Sequence, residues 1–137
     1  MDLTDQALVE IYRATRTIAV VGASADPSKL ANSIPAYLQT QGFDVIPVNP
    51  SAGEILGVPA VATLSEIEGP VDVVDVFRPR AEVPQIARDA VAIGARVLWL
   101  QVGIVSEEAA AIARQAGLTV VMDTCIGATH RRLAEHI

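Results

Sequence analysis

The first residues suited to chemistry stand where an apolar run of the sequence, 17–22, ends. Gly22 closes this run, Ala23 and Ser24 follow it, and Lys29, the only lysine of the chain, lies seven residues after the glycine. Glycine permits a tight turn, and small neighbours let backbone N–H groups approach a phosphate at a helix N-terminus. The pattern is typical of a nucleotide-binding loop with a lysine in reach of the phosphate. A plain tight turn followed by a solvated surface lysine explains the same residues.

The loop departs from two established nucleotide-binding patterns. In the dinucleotide fingerprint Gly-x-Gly-x-x-Gly, Ser24 stands in the place of the second glycine and Pro27 in that of the third. The next apolar run ends in Asn49-Pro50 instead of the acidic residue that would hold an adenosine ribose. The sequence also has no Gly-Lys-Ser/Thr of the P-loop type. These departures argue against a nicotinamide cofactor and against a P-loop.

Two arginines follow the third apolar run, in the stretch "VFRPRAEV". Arg78 comes directly after Phe77, Arg80 lies two residues further on, and Pro79 between them fixes the backbone and suits the start of a helix. Together with Lys29, these arginines could form a local positive pocket for a polyphosphate in an otherwise acidic chain. Surface salt bridges are the alternative interpretation.

The last two apolar runs also end in small or reactive residues. The fourth run is followed by Gln101-Val102-Gly103, in which the glycine would let the backbone pass close to a ligand. Cys125 follows the fifth run, either as a buried small hydrophobic residue or as a reactive thiol. Because it is the only cysteine, the chain cannot form an internal disulfide, and a reducing cytoplasm is its expected setting. Trp99, inside the fourth run, is expected to pack in the core.

The remaining titratable residues do not form a catalytic pattern. Asp72 and Asp75 are three residues apart in one apolar run, which places them on opposite faces of a strand and excludes a carboxylate pair. Asp75 should lie deeper in the strand and therefore need hydrogen-bond donors. His130 and His136 belong to no cluster with metal-ligand spacing. The sequence therefore predicts a binding pocket, with no catalytic and no metal-binding residues.

The elements that position these residues alternate between strands and helices. Five near-continuously apolar runs are expected to form strands: 17–22, 43–49, 71–77, 96–102 and 118–123. Helical patterns lie between them at 28–41, 80–93 and 106–116, and a leading helix is expected at 4–15. Strands of this kind are typical of a parallel sheet covered on both faces, hence of an α/β fold. In such sheets ligands bind beyond the carboxyl ends of the strands, where the candidate binding residues named above are found.

Composition narrows the class of protein further. With 137 residues, of which 51% are hydrophobic and 19% charged, the chain is expected to fold as a single domain spanning 1–137. Its net charge of −6 argues against nucleic acid as a partner, since backbone phosphates require a basic surface. No apolar run is long enough to cross a membrane, and the acidic N-terminus does not resemble a signal peptide.

Taken together, the segments that follow the strands resemble a known family. "TIAVVGASADPSKLANSIPAYL", "VIPVNP", "VDVFRP", "LWLQVGI" and "DTC" fall in the order and spacing of the small stand-alone bacterial coenzyme A-binding proteins. That family is similar to the N-terminal coenzyme A domain of the succinyl-CoA synthetase alpha subunit. The resemblance implies a Rossmann-like three-layer sandwich, with a mostly parallel five-stranded sheet and helices on both faces. The ligand it implies is coenzyme A, bound across the strand tips.

The resemblance also implies which residues bind the ligand. They are Gly22, Ala23, Ser24, Lys29, Asn49, Pro50, Phe77, Arg78, Pro79, Gln101, Gly103 and Cys125. Cys125 matches the cysteine of an Asn-Cys-Pro-Gly turn in the synthetase, but this chain reads Thr-Cys-Ile-Gly at 124–127. The phosphorylated histidine of the synthetase lies in a second domain, so neither histidine of this chain inherits that role.

The expected function is that of a cytoplasmic protein that binds coenzyme A or an acyl-CoA without an assigned reaction of its own. One alternative is an NAD(P)-linked Rossmann oxidoreductase or a subunit of an acyl-CoA ligase. Another is a role for the thiol, in which Cys125 forms a mixed disulfide with the coenzyme. The sequence carries no separate interface signal, and a homo-oligomer remains open.

Overall fold

The five long apolar runs form one parallel sheet in a computed structural model that describes residues 3–137. Its strands are β1 (Thr17–Val21), β2 (Asp44–Val48), β5 (Val73–Val76), β6 (Val97–Leu100) and β7 (Thr119–Val121). Two short strands, β3 (Glu54–Ile55) and β4 (Val58–Pro59), pair separately as an antiparallel hairpin. The helices are α1 (Asp5–Ala14), α2 (Leu30–Thr40), α3 (Val83–Ala92), α4 (Glu107–Gln115) and α5 (Ile126–Leu133). Short 3-10 helices cover Leu64–Glu66, Arg80–Glu82 and Ala134–His136.

The strand order of the sheet is β2-β1-β5-β6-β7, and every neighbouring pair is parallel. The chain therefore starts inside the sheet, moves outward to β2, and returns to the other side of β1 at β5. The carboxyl ends of β1 and β5 flank the point where the direction of winding reverses, which is the usual ligand position in such sheets. This arrangement confirms the predicted Rossmann-like α/β fold.

Each face of the sheet is covered by helices and carries its own hydrophobic core. One core includes Ala87 and Ala90 of α3 and Ala109 and Ala113 of α4. The other core contains residues of α1, α2 and α5, and the fully buried Trp99 belongs to it. The sheet with a helical layer on either face forms the expected three-layer sandwich, and Trp99 packs in the core as predicted.

The structure differs from the sequence-based expectation mainly after β7. The segment beginning at Ile126 forms α5, which no apolar pattern had indicated. Its N-cap is Cys125, whose Sγ lies 3.4 Å from the backbone nitrogen of Ala128 and takes the place of the usual capping oxygen. By contrast, the expected cap of the first helix is present, since Thr4 Oγ1 accepts a hydrogen bond from the Ala7 backbone at 3.1 Å.

Asp75 contradicts the expectation that a buried carboxylate here would find hydrogen-bond donors. It lies in β5 with no exposed surface, and neither carboxylate oxygen has a hydrogen-bond partner within the described part of the chain. Burial raises the pKa of this carboxyl well above its ordinary value, because an unpaired charge is unfavourable away from water. Asp72 precedes the strand and accepts hydrogen bonds from the backbone nitrogens of Arg16 and Thr17, at 2.9 and 3.0 Å.

Candidate functional site

Gly22 directly follows β1 and lies against the residues that follow β5. Its φ of 88° lies in the region that favours glycine. A Cβ added there would lie 2.7 Å from the carbonyl oxygen of Phe77 and 2.8 Å from Cδ of Arg78. The backbone nitrogen of Gly22 donates to Val48 O of β2 at 3.0 Å. The glycine therefore lets three strand tips meet around one turn.

The loop after Gly22 is fastened to α2 by an unusual hydrogen bond. Pro35 lies inside α2 and has no N–H, so it cannot bond to the carbonyl of Ala31 one turn earlier. That carbonyl instead accepts the backbone N–H of Ser24 at 3.1 Å. The Asn32 side chain donates to the carbonyl oxygen of Ser24 at 2.8 Å, and is itself buried. A proline that would ordinarily weaken a helix thus helps to fix the loop.

The N-terminus of α2 faces this loop without a side-chain cap. Lys29 is the N-cap residue, and its side chain makes no capping hydrogen bond. Asp26 forms a closed turn within the loop, where its Oδ1 accepts from the backbone and hydroxyl of Ser28 at 2.9 and 2.7 Å. These hydrogen bonds lower the pKa of Asp26, so the loop also carries a negative charge. Free backbone N–H groups at a helix start favour an anion.

A first cavity of about 500 Å³ lies beside β1 and β2, and we call it the Asn49 cavity. It is lined by Val21, Gly22, Val48, Asn49, Pro50, Ser51, Ala62, Arg78, Glu82 and Ile86. Asn49 Nδ2 donates to the carbonyl oxygen of Ala23 at 2.8 Å, which holds the Gly22 turn against β2. The asparagine that replaces an acid at the end of β2 therefore has a structural role in the loop.

Arg78 stands between this cavity and the next. Its guanidinium pairs with Glu82 at 2.6 Å, and both side chains are about half exposed. The hydrogen bond raises the pKa of Arg78 and lowers that of Glu82. At Arg78 the structure therefore contains a surface salt bridge, which was the alternative interpretation of this arginine. The same arginine nevertheless lines both cavities.

A second cavity of about 560 Å³ opens between α2 and α5, and we call it the α2–α5 cavity. Most of its lining residues are apolar or small: Leu30, Ala31, Ser33, Ile34, Tyr37, Phe77, Arg78, Gln101, Val102, Ile104, Cys125, Gly127, Ala128 and Arg131. Phe77 and Arg78 come from the tip of β5, and Gln101 follows β6. Since Arg78 also borders the Asn49 cavity, the two cavities adjoin at this residue, and we call the pair the track.

The start of α5 is held by buried hydrogen bonds from the sheet. Gln101 Oε1 accepts from the backbone nitrogen of Ile126 at 3.1 Å, and Tyr12 Oη donates to the carbonyl of Ile126 at 2.7 Å. Trp99 Nε1 donates to the carbonyl of Thr124 at 2.8 Å. These bonds place the half-buried Cys125 at the wall of the α2–α5 cavity.

His130 supports this wall and takes no part in the cavity lining. Its Nδ1 is hydrogen-bonded to the Tyr37 hydroxyl at 2.8 Å, and its ring packs edge-on against Tyr12, Tyr37 and Phe43. Burial lowers the pKa of His130, which favours the neutral ring. Within 3–137, no group of three metal-ligating side chains is found, and no helix is long and apolar enough to cross a membrane.

The structure brings seven of the predicted site residues to the two cavities and leaves five outside their linings. Those that line a cavity are Gly22, Asn49, Pro50, Phe77, Arg78, Gln101 and Cys125. Those outside the linings are Ala23, Ser24, Lys29, Pro79 and Gly103. Ala23 is buried in the core, whereas Gly103 is exposed and donates its backbone N–H to Asp123 Oδ1 at 2.7 Å.

Sequence reasoning missed the helical wall of the α2–α5 cavity. Ile34 and Tyr37 of α2 are three residues apart, a spacing that is equally typical of a helix face packed on the core. Arg131 of α5 lies with its guanidinium carbon 4.6 Å from the Tyr37 ring centroid. Gly127 marks the close approach of the helices, since an added Cβ would lie 3.2 Å from Cγ2 of Ile34. Only this interhelical glycine could have signalled the pairing.

Comparison with known proteins shows which family this chain resembles. The family described as "CoA binding domain" matches residues 16–131 of this chain. The uncharacterized protein YneT of Bacillus subtilis is 42% identical over 121 residues, which cover 88% of this chain and 90% of that protein. A hypothetical protein from Pyrococcus horikoshii superposes with a TM-score of 0.94 at 36% identity, covering 96% of this chain and 93% of the other.

A longer relative has a named activity. The alpha subunit of the ADP-forming acetate–CoA ligase II of Pyrococcus furiosus is 30% identical over 139 aligned positions, covering 92% of this chain. This chain spans only 30% of the length of that subunit. The family match extends from just before β1 into α5, and so includes both cavities and every predicted site residue. The chain therefore belongs to the CoA-binding domain family.

Proposed function

We propose that the chain is a single coenzyme A-binding domain that holds its ligand along the track formed by the two cavities. The nucleotide lies in the Asn49 cavity and the pantetheine arm in the α2–α5 cavity. The observation that carries this proposal is the position of Arg78, which borders both cavities beside Gly22 at the reversal of strand order. A cation at this junction is suited to the phosphates that join the two halves of coenzyme A.

The phosphates have two further sources of stabilisation in this arrangement. The uncapped N-terminus of α2 offers backbone N–H groups next to the Gly22 turn. Lys29 is the N-cap residue and its side chain is exposed, so it can turn toward an anion bound at the start of α2. It lines neither cavity. Glu82 competes for Arg78, so the bound phosphate shares or replaces this salt bridge.

We assign no reaction of its own to this site. Cys125 is the one thiol that borders the track, and its Sγ accepts a backbone N–H from Ala128 instead of facing a base. The neutral ring of His130 is hydrogen-bonded to Tyr37 and packed among aromatic side chains. A nucleophile usually needs an adjacent base that is itself oriented by a third group. We place the protein in the cytoplasm, where its single thiol stays reduced.

Calorimetric titration with coenzyme A, NAD and NADP tests the proposal. Coenzyme A should bind, and neither dinucleotide should, because Asn49 stands where an acid would hold the adenosine ribose. At a hundredfold excess over the dissociation constant, bound coenzyme A should raise the free energy of unfolding by about 2.7 kcal/mol. Absence of binding with protein on the order of tens of micromolar would overturn the proposal.

Two arginine variants locate the ligand on the protein. Arg78→Gln should weaken coenzyme A binding about tenfold, the lower end of the effect of a charge-assisted hydrogen bond, since this side chain is half exposed. Arg96→Gln is the matched control, because Arg96 is exposed and directly precedes β6. It therefore lies at the amino-terminal ends of the strands, away from both cavities. Equal affinities of the two variants would show that the ligand lies elsewhere.

A ligase component is a second candidate, favoured by the 30% identity to the alpha subunit of acetate–CoA ligase. In this case the chain would hold coenzyme A for a partner that supplies the remaining chemistry. Purification of the native protein together with a nucleotide-binding ligase subunit would support it. Recovery of the chain alone, with coenzyme A bound, would favour the first candidate.

A further inference from the structure

We propose that the α2–α5 cavity holds the apolar acyl chain of a coenzyme A thioester. This inference rests on the proposed function and deepens it by naming the class of ligand. The cavity volume of about 560 Å³ falls within the range of small-molecule sites. Cys125 lies at its wall and does not line the Asn49 cavity. The thioester end of the ligand reaches this wall and its acyl chain fills the space between the helices.

Three of the polar groups around the cavity are already engaged with other parts of the protein. Gln101 Oε1 accepts the N–H of Ile126, the Tyr37 hydroxyl is hydrogen-bonded to His130, and Arg78 is paired with Glu82. Beyond the pantetheine arm, which enters past Arg78, the space between these groups therefore offers few free hydrogen-bond partners. A hydrocarbon chain requires none, so it suits this interior better than a polar group does.

The rim of the cavity adds a second apolar feature. Leu30 and Val102 are 69% and 66% exposed, the two most exposed large hydrophobic residues in the described part of the chain. They come from different elements, the start of α2 and the loop after β6, yet both line this one cavity. An acyl chain entering between them would remove their apolar surface from water. Ile34, Phe77 and Ile104 are partly buried and form the inner lining.

A series of saturated acyl-CoA ligands tests the inference. The affinities of acetyl-, butyryl-, hexanoyl- and octanoyl-CoA are compared with that of free coenzyme A by calorimetry. Burial of one methylene group corresponds to about fourfold in affinity, so butyryl-CoA should bind at least tenfold more tightly than acetyl-CoA until the cavity is full. If coenzyme A binds and affinity does not change with chain length, the inference is wrong and the proposed function stands. If none of the ligands binds, the proposed function itself fails.

A cavity-filling variant tests whether the acyl chain lies in the α2–α5 cavity. Ala128 lines the cavity at the first turn of α5 and its side chain is exposed, so Ala128→Phe can occupy the space without entering the core. In this variant the affinity for acyl-CoA ligands should no longer depend on the length of the acyl chain. Ala111→Phe is the control, because Ala111 is exposed on α4, on the opposite face of the sheet, and should retain the dependence. An unchanged dependence in Ala128→Phe would overturn the inference.

Two other occupants are distinguished by the same measurements. Arg131 borders the cavity and forms no ion pair within the described residues, so a ligand with a terminal carboxylate is a competing case. Tighter binding of succinyl-CoA than of butyryl-CoA would show recognition of that carboxylate and refute an apolar occupant. A second copy of the chain could instead cover Leu30 and Val102. Self-association that Leu30→Ser abolishes and that octanoyl-CoA does not displace would also refute the proposal.

Discussion

Replacement of Asp75 by asparagine should make the protein more stable than the wild type as the pH rises. The carboxyl is fully buried without a hydrogen-bond partner in the described chain, and burial raises its pKa in the native state. In the unfolded chain an aspartate ionises near its ordinary pKa of about 3.9. Above that pH the unfolded state has released a proton that the native state retains. The contribution of Asp75 to stability is therefore complete below the unfolded pKa and is lost as the pH rises toward the native one.

The size of this effect follows from the single proton involved. Retention of one proton by the native state lowers the free energy of unfolding by about 1.4 kcal/mol for each pH unit. Asp75→Asn keeps the shape of the side chain and removes the titration. The stability of the variant relative to the wild type should therefore increase by about 1.4 kcal/mol per pH unit above about pH 4, until the native carboxyl begins to ionise.

Urea unfolding followed by circular dichroism at several pH values measures this difference. All other titrating groups are shared by the two proteins and cancel in the subtraction. Asp26→Asn is a control of opposite sign, because hydrogen bonds to Ser28 lower the pKa of this exposed carboxyl. Its contribution to stability is lost as the pH falls through the native pKa. Parallel stability curves for Asp75→Asn and the wild type would refute a neutral, buried carboxyl at this position.

Three further predictions concern the turns and caps around the site. Gly22→Ala and Gly42→Ala should each lower the free energy of unfolding by about 1–2 kcal/mol, because both glycines have a positive φ. Only Gly22→Ala also adds a steric clash, so only this variant should lose coenzyme A binding in calorimetry. Equal binding by both variants would contradict the proposed turn. Gln101→Leu should cost about 1–3 kcal/mol and speed hydrogen exchange in α5, since the buried N–H of Ile126 loses its acceptor. Unchanged exchange would show that this bond does not hold the helix. Ser106→Ala should cost about 1 kcal/mol in urea unfolding by removing the cap of α4, with coenzyme A affinity unchanged.

The parallel sheet could be predicted from the sequence because burial on both faces leaves a direct signal, whereas the strand order came only from the structure. Every apolar run contains an observed strand, and the residues that follow these runs lie at the edge that carries both cavities. The turn at Gly22 was predictable for the same reason, since a glycine after a buried strand has few other uses. What the turn contacts was not predictable, because the carbonyl of Phe77 reaches it only through the pairing of β1 with β5.

The α2–α5 cavity could not be predicted, because it depends on how two helices pack. The eight-residue α5 has a cysteine as its cap and a glycine in its first turn, which are poor helix signals when taken locally. Its stability comes from tertiary hydrogen bonds that Gln101 and Tyr12 make to Ile126. Similarly, Pro35 suggests the end of a helix, yet it lies within α2 because the carbonyl it leaves free is used by Ser24.

The charge distribution explains why recognition of an anionic ligand must be local in this protein. The chain has a net charge of −6, so its overall field repels a polyphosphate at a distance and offers no long-range steering. Attraction begins only where Arg78 and the start of α2 are close enough to outweigh that field, within about 8–10 Å at physiological salt. Even there, Glu82 and Asp26 offset part of the positive charge. For the proposed position of coenzyme A, binding energy must then come largely from apolar contact, for which the α2–α5 cavity offers the surface.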